Sequence, residues 1–544
     1  MKINLTFLLI AFTLPVTILG QQFQRSFGGD GYDVIASLVQ LESQDYLAFG
    51  GSSSFGPVLK GYLIKMDGMG NYEEGRLYNF MQGSEFSVAL KNEAGNIFFA
   101  GNTTSMLTNS AEALIGEMDT DGEILWAKSL NGPLNEVISC AAITADGGFI
   151  AAGHSASFTA DSSFDNIVIK VAANGDIEWA KEFESPGYDR IASIVESPEG
   201  GYFYFAHHSN DNSVGYDLNM VKLDDGGNIE WSRALSGPGI ELASEIYCLE
   251  DGYLLGGDTD SYGEGLNEVF LMKVDFTGLI EWQNVYGGFS HDHLTSIAEG
   301  EGNFIVVGGV TGSIGGGGLD MMSIEISKDG FMTWSKAYGG DDKDVCYDII
   351  DTPDGGYALA GYSRSFTDTW VYNAYIVKTN DRGDCVCNTV WNDALTANEA
   401  FFESGVYEIT SAELPALEST TATYEIVSPL LTTELCELGE IVDAGEGGEE
   451  HSDIDVASHV EDWENHSITI IPNLQSSSLI VELEVYSDAT VNVYNLGGEL
   501  IGSSPVSSDG KQTVEVKIQG WSEGIYFVSI VNQHIHVGKK IYLR

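Results

Sequence analysis

Basic residues are scarce: the 544-residue chain carries 24 Lys and Arg against 81 Asp and Glu, a formal net charge of −57. Such a surface repels nucleic acid and anionic lipid alike, which excludes a nucleic-acid partner. Proline is sparse (11) and glycine abundant (65), and with many Val, Ile and Tyr this favours an all-β chain full of tight turns. Beyond the N-terminus no apolar run reaches the roughly 18 residues that cross a bilayer as a helix, so no transmembrane segment is expected. Catalytic signatures are missing too. There is no HExxH pair and no GxSxG elbow, and the Gly-rich stretch from Gly312 to Asp320 lies between strand signals with no helix to follow.

What is present begins with a leader. Lys2 precedes an apolar run from Leu5 to Leu19 and then Gly20, the layout of a secretory signal peptide over residues 1–20, and no lipobox-like Cys follows it.

Behind the leader the chain repeats. Trp126, Trp179, Trp231, Trp282 and Trp334 recur at spacings of 53, 52, 51 and 52 residues, each opening a stretch like "WSKAYGG", and Phe23 of "FQRSFGG" stands in the same place. A second series agrees, because Lys65, Glu117, Lys170, Lys222, Lys273, Glu325 and Lys378 recur every 51 to 53 residues. Each unit holds four short strand signals separated by turns, the arithmetic of a propeller blade, whose two faces are buried only against neighbours. The expected fold is an all-β, seven-bladed β-propeller of four-stranded blades with a repeat of about 52 residues, spanning 22–384. The unit after the last one lacks its Trp, with Cys387 in that slot, so the N-terminal "FQRSF" strand is expected to complete the last blade and close the ring. These units resemble the long-repeat β-propellers of exported Bacteroidetes proteins, a resemblance that implies the fold and no single activity.

Ten residues after each leading aromatic stands an acid: Asp33, Glu136, Asp189, Glu241, Asp292 and Asp344, with Glu85 one place out in the second unit. A ring of carboxylates could coordinate a cation. A residue repeated in every blade is better explained by something every blade needs, such as holding turn amides or pairing with the repeated Lys. Function is expected where the repeat breaks. The position past the Gly that ends the third strand signal of each unit reads Gly51, Asn102, His154, His207, Asp258, Gly309 and Tyr362. His154, His207 and Asp258, with His208 beside them, and Tyr362 are therefore the candidate ligand-binding residues. Two His and a carboxylate could hold a divalent metal if that strand end faces the funnel, and the competing reading is a set of polar residues at a solvated rim. No catalytic residue, metal site or cofactor is assigned, although Ca²⁺ or another divalent cation is left open.

Downstream, residues 383–510 contain no Lys or Arg. Segment 385–440 has strand signals such as "VYEIT" and "TYEIV" and reads as a β extension, and 441–466 reads as an acidic linker. Cys140, Cys248 and Cys346 share one strand face as small core residues, whereas Cys387 (or Cys385) and Cys436 flank the extension and are a disulfide candidate in an oxidising compartment. Residues 467–544 alternate as a small β-sandwich. Its motifs, Pro472 and Asn473 in "IIPN", then "VNVYNLGGELI", Gly524 and Tyr526 in "GIYFVSI", and Lys539 and Lys540 in "KKIYL", resemble the C-terminal sorting domain of the type IX (Por) secretion system. Leu474 stands where that family usually has a second Pro.

The resemblance implies delivery by the type IX machinery to the cell surface or the medium. The expected function is an exported module binding an extracellular glycan or protein. Two alternatives are a polysaccharide or peptide hydrolase or lyase with its site in the funnel, and a structural adhesin.

Overall fold

The computed structural model describes residues 22–434 and 469–543, apart from 106–109, 159–162, 186, 210–215, 264, 368–370, 386–388, 392–394, 400–401, 406–409, 415–417, 420–422, 428–430, 474–477, 486–488, 496–499, 507–509, 518–523 and 532–535. The leader, the acidic linker, Cys387 and Cys436 lie outside the described residues.

The first body is a β-propeller of seven blades. Blade 1 is the meander Asp33–Gln40, Tyr46–Ser52, Lys60–Met66, Tyr72–Asn79, paired in that order from the innermost strand outward. The same meander recurs at 84–130, 136–184, 188–236, 241–287 and 292–338, blades 2 to 6. Blade 7 has three strands of its own, Asp344–Asp351, Tyr357–Ser363 and Asn373–Lys378, and its fourth is Phe23–Gly28, with Phe23 opposite Lys378 and Phe27 opposite Ala374. The N-terminal strand thus closes the ring. Middle strands are buried along their length, as in Tyr46–Ser52 and Asp165–Val171, because each sheet packs on a neighbour at both faces. One core cluster joins Phe203 and Phe205 of blade 4 to Tyr253 and Phe270 of blade 5. Another joins Phe23 and Phe27 to Ile35 and Tyr62 across the closure.

The recurring W-x-K-x-Y stretch fastens each blade to the next. Trp126 lies under Gly175 of the following blade, whose φ of 82° suits Gly and whose absent Cβ would sit 2.7 Å from the indole. The residue two places on stacks over that ring and reaches the same turn: Lys181 Nζ lies 5.9 Å from the Trp179 ring and donates to the Gly226 carbonyl at 2.8 Å. The Tyr does likewise, since the Tyr286 and Tyr338 hydroxyls donate to the carbonyls of Gly330 and Gly383 at 2.8 and 2.7 Å. Phe23 and Arg25 repeat the arrangement across the closure, on Gly70 and the Met69 carbonyl. The repeated Lys serves the opposite side of the ring, and in three blades it pairs with the acid of its own blade's inner turn: Lys170 with Asp146 at 2.7 Å, Lys273 with Asp251 at 2.7 Å, Lys378 with Asp354 at 3.0 Å. Its partner is therefore not the repeated acid.

Each blade has the expected four strands, and each of the seven blade sheets gains a fifth at its outer edge. After blade 7 the chain runs backwards round the ring as a belt. Thr389–Trp391 pairs with the outer strand of blade 6, Thr396–Glu399 with blade 5, Glu403–Gly405 with blade 4 and Thr410–Glu413 with blade 3. Glu418–Ser419 then joins blade 2, Thr423–Val427 blade 1, and Leu431–Glu434 the N-terminal strand of blade 7. The circuit is complete. Two belt residues act as plugs: Leu395 is buried with Tyr286, Leu294 and Ala337, and Phe402 with Phe270 and Leu235. A belt strand satisfies the outward amides and carbonyls that a four-stranded blade leaves open.

Among the described residues of the C-terminal part there are two sheets. One orders Thr469–Asn473, Ser478–Val485, Gly510–Lys517, and the other Leu500–Val506, Ala489–Asn495, Gly524–Val531, His536–Leu543. Val491 and Val493 from one sheet and Val514 and Val516 from the other are buried. Pro472 and Asn473 end the first strand, and Tyr526 faces Ile541 across the pair that holds Lys539 and Lys540.

Candidate functional site

The repeated acids stand at the start of the inner strands, Asp33, Glu136, Glu241, Asp292 and Asp344 as first residue and Asp189 as second, where the outer strand of one blade hands over to the next. Asp292 is fully buried; one oxygen accepts the Gly288 amide at 2.9 Å and the Ser313 hydroxyl at 2.6 Å, the other the Thr311 hydroxyl at 2.5 Å. Asp33 does the same with Gly29, Ser54 and Ser52, and Asp344 with Gly340 and Ser365. Glu241 accepts the Gly237 amide at 3.0 Å and the Ser261 hydroxyl. Each carboxylate ties the incoming turn to the end of the second strand. Burial pushes the carboxyls of Asp33, Asp292 and Asp344 upward against these hydrogen bonds, and lifts Glu136 to about 7. In blade 2 the slot belongs to Ser84, which pairs with Thr103, while Glu85 points to the other face and accepts from Asn102 at 3.2 Å. The one-residue offset of Glu85 reverses its side, because successive strand residues face opposite ways.

His208 follows the same rule. It lies in the acid layer, its Nδ1 2.8 Å from Asp189, and so stands apart from His207. In blade 6 the register puts Val310, opposite His293, in the slot that the sequence spacing gave to Gly309.

His154, His207, Asp258 and Tyr362 do share one ring, at the mouth on the hand-over side. Each faces the residue just after the repeated acid: His154 opposite Val137, His207 opposite Arg190, Asp258 opposite Leu242, Tyr362 opposite Val345. Across each blade junction the second-strand residue meets the inner strand of the next blade. Asp258 shows the contact, accepting the Leu294 amide at 2.8 Å and lying 3.0 Å from His293 Nδ1. This bond leads the causes that raise the His293 pKa, and burial raises that of Asp258.

Three sectors of the mouth differ. The first is the Asp258–His293 pair. The second is aromatic: Tyr362 lies 4.4 Å from Tyr372 and 5.9 Å from Tyr347, Tyr32 lies 5.2 Å from Tyr372, and Arg364 stacks over Tyr372 at 5.7 Å. Tyr32 and Tyr347 are 52% and 42% exposed, which marks this as an open platform. The third joins His154 and His207 to Arg190, with the His154 ring edge-on to Phe164 at 5.1 Å and the His207 ring edge-on to Tyr216 at 5.5 Å. Burial, then the Arg190 charge, pushes both imidazoles down to about 4, so they are neutral at pH 7. Among the described residues no group of three His, Cys, Asp or Glu is placed to hold a metal ion.

Farther along the inner strands, Glu245 accepts the Ser193 hydroxyl at 2.6 Å and Asp348 the Leu38 amide at 2.8 Å. Burial pushes Glu245 to about 7, with the Asp348 charge adding to it. Cys346 is buried, and Cys140 and Cys248 are partly buried in inter-blade clusters. Sequence spacing missed Arg190, His293, Tyr347 and Tyr372. The first two sit one residue beyond the repeated acid, a signal that the repeat itself supplies.

Residues 469–544 match the family described as secretion system C-terminal sorting domain. The chain ends in a type IX sorting domain. That tail indicates export to the cell surface or extracellular space and implies a Bacteroidetes origin. No helix among the described residues is long and apolar enough to cross a membrane. No curated protein matches the chain. Among solved structures it is similar to a biofilm associated protein, BSP domain, at 8% identity over 95% of this chain and 97% of that one. The TM-score of 0.12 is too low for that likeness to bear on fold or function.

Proposed function

We propose that this type IX-exported propeller is a binding module, and that its ligand is an extracellular glycan docked on the tyrosine sector of the mouth. The observation that carries the reading is the half-open cluster of Tyr32, Tyr347, Tyr362 and Tyr372, gathered from four different segments at one blade junction. Four rings clustered in partial contact with water retain apolar surface that only a ligand would cover, and flat aromatic faces suit the C–H faces of sugar rings. The repeat does not require them: the equivalent second-strand residues elsewhere are Gly51, Asn102, His154, His207, Asp258 and Val310.

The test is a glycan array followed by calorimetry with the full mature chain and Tyr362→Ala. Wild type is expected to retain at least one class of polysaccharide, and the variant to bind it about tenfold more weakly, the usual cost of truncating an aromatic anchor. Binding to no glycan, or equal binding by the variant, would overturn the assignment. A hydrolase reading draws on Glu245, pushed to about 7 beside the charge of Asp348. New reducing ends in the same samples, abolished by Glu245→Gln, would favour it.

A further inference from the structure

The blade junctions of the mouth offer an internal comparison. At the junction of blades 5 and 6 the inner-strand residue, His293, meets a carboxylate, Asp258. At the junction of blades 3 and 4 the equivalent inner-strand residue is Arg190, and the slot that held the carboxylate holds His154. Arg190 is exposed, stacks over Phe164 at 5.4 Å, and has no ion-pair partner among the described residues. Asp189, next to it in sequence, faces the opposite side and is engaged by Ser185 and His208. The remaining neighbours are His154 and His207. Both are neutral at pH 7, and each has a buried Nδ1 without a hydrogen-bond partner among the described residues.

An uncompensated guanidinium is unexpected in a chain with a net charge of −57, where acids are available at almost every turn. Its neighbours are the kind that dock an anion: the His154 imidazole, which can donate a hydrogen bond once the ring orients, and aromatic walls from Phe164, Tyr188 and Tyr216, while the His207 ring is held to the Ala243 backbone. General charge cannot recruit an anion to this protein, since the wider field is repulsive. Beyond about 8 Å that field is screened at physiological salt, so a short-range contact to one Arg can still win.

We propose that Arg190, flanked by His154 and His207, receives a carboxylate carried by the ligand, which makes that ligand an acidic, uronate-bearing glycan. The inference rests on the glycan reading above and names its substrate class. The ligand supplies to Arg190 the group that Asp258 supplies to His293.

Calorimetry with the full mature chain tests it, using an oligogalacturonate, its methyl ester, a neutral oligosaccharide of equal length and a sulfated one. The free acid is expected to bind, with the ester and the neutral sugar at least tenfold weaker. Arg190→Gln, at an exposed position, should lose about tenfold for the acid and nothing for the ester. His154→Asp should do the same while keeping the Arg, because it rebuilds here the internal pairing of blades 5 and 6. Equal affinity for acid and ester, or an unaffected Arg190→Gln, would overturn the carboxylate assignment and leave glycan binding standing. Binding of the sulfated sugar alone would overturn it in favour of a sulfate ester. Failure of every sugar would remove both readings.

Discussion

The circumference of the ring and its mouth are built by the same seven blades and follow opposite rules. Around the circumference each outer strand is paired with a belt strand, and six of the seven blade junctions are pinned by the same kind of contact, an indole or phenyl ring on a turn Gly. At the mouth no such repetition survives: a tyrosine platform, an Asp–His pair and an unpaired Arg occupy three different sectors. The two regimes are one residue apart. Asp189 and Arg190, or Asp292 and His293, are consecutive on a strand, yet the first of each pair is tied into the blade and the second faces the mouth. Period-two alternation lets a repeat keep its scaffold on one side of a strand while the other side diverges freely.

The comparison breaks most completely if the circumference is opened. A chain ending at residue 384 would lack the belt, leaving seven outer strands with unpaired edges and removing the plugs Leu395 and Phe402. Truncating two such plugs alone costs about 5 kcal/mol, and open edges add a route to aggregation. Size-exclusion chromatography and thermal unfolding should therefore show an aggregating or strongly destabilised fragment beside a monodisperse chain ending past the belt. Identical behaviour of the two would mean that the belt is ornamental.

A smaller effect sharpens the same contrast on single strands. Asp292→Ala strands two hydroxyls and an amide in a buried site and should cost about 3 kcal/mol, seen as a lower denaturant midpoint. Arg190→Gln, on the alternate face of another inner strand, should stay within about 0.5 kcal/mol of wild type. If the two cost the same, the division between scaffold and mouth fails.

Much of this was legible in the sequence because the repeat obeys packing. The Trp spacing follows from each indole sealing the next blade's turn Gly, so one residue type marked five equivalent places, and the missing Trp at the end pointed to the N-terminal strand. The belt was not legible as a belt. Its strands run to two to five residues, too short for alternation to register, and what defines them is the outer edge they meet. The mouth was half legible. Reading one column of second-strand residues found His154, His207, Asp258 and Tyr362. Their partners lie in another column, on the inner strand, and only the cross-strand register joins them. His208 and Glu85 went astray for the same reason, since one residue of offset puts a side chain in the other layer.

The smallest predicted effect concerns pH, and it separates the two regimes by sign. Burial pushes the blade carboxyls of Glu136, Glu182 and Asp320 up to about 7 from ordinary values of 4.5, 4.5 and 3.8. Between those values the folded chain holds protons that the unfolded chain has released, so their contribution to stability is full at low pH and is lost as pH rises through 7. The mouth imidazoles of His154 and His207 are pushed from 6.5 down to about 4, so below pH 6.5 the unfolded chain gains protons that the folded chain refuses, and stability falls with acid. Three carboxyls outweigh two imidazoles, so the melting temperature should be highest near pH 4.5, fall most steeply between pH 6.5 and 7, and lie a few degrees lower at pH 8, where self-repulsion of the acidic surface acts in the same direction. Glu182, whose Oε1 is buried without a partner, supplies the control. Glu182→Gln should raise the melting temperature at pH 8 and leave it unchanged at pH 5, and a variant that gains nothing at pH 8 would show that the blade carboxyls do not set the alkaline limb.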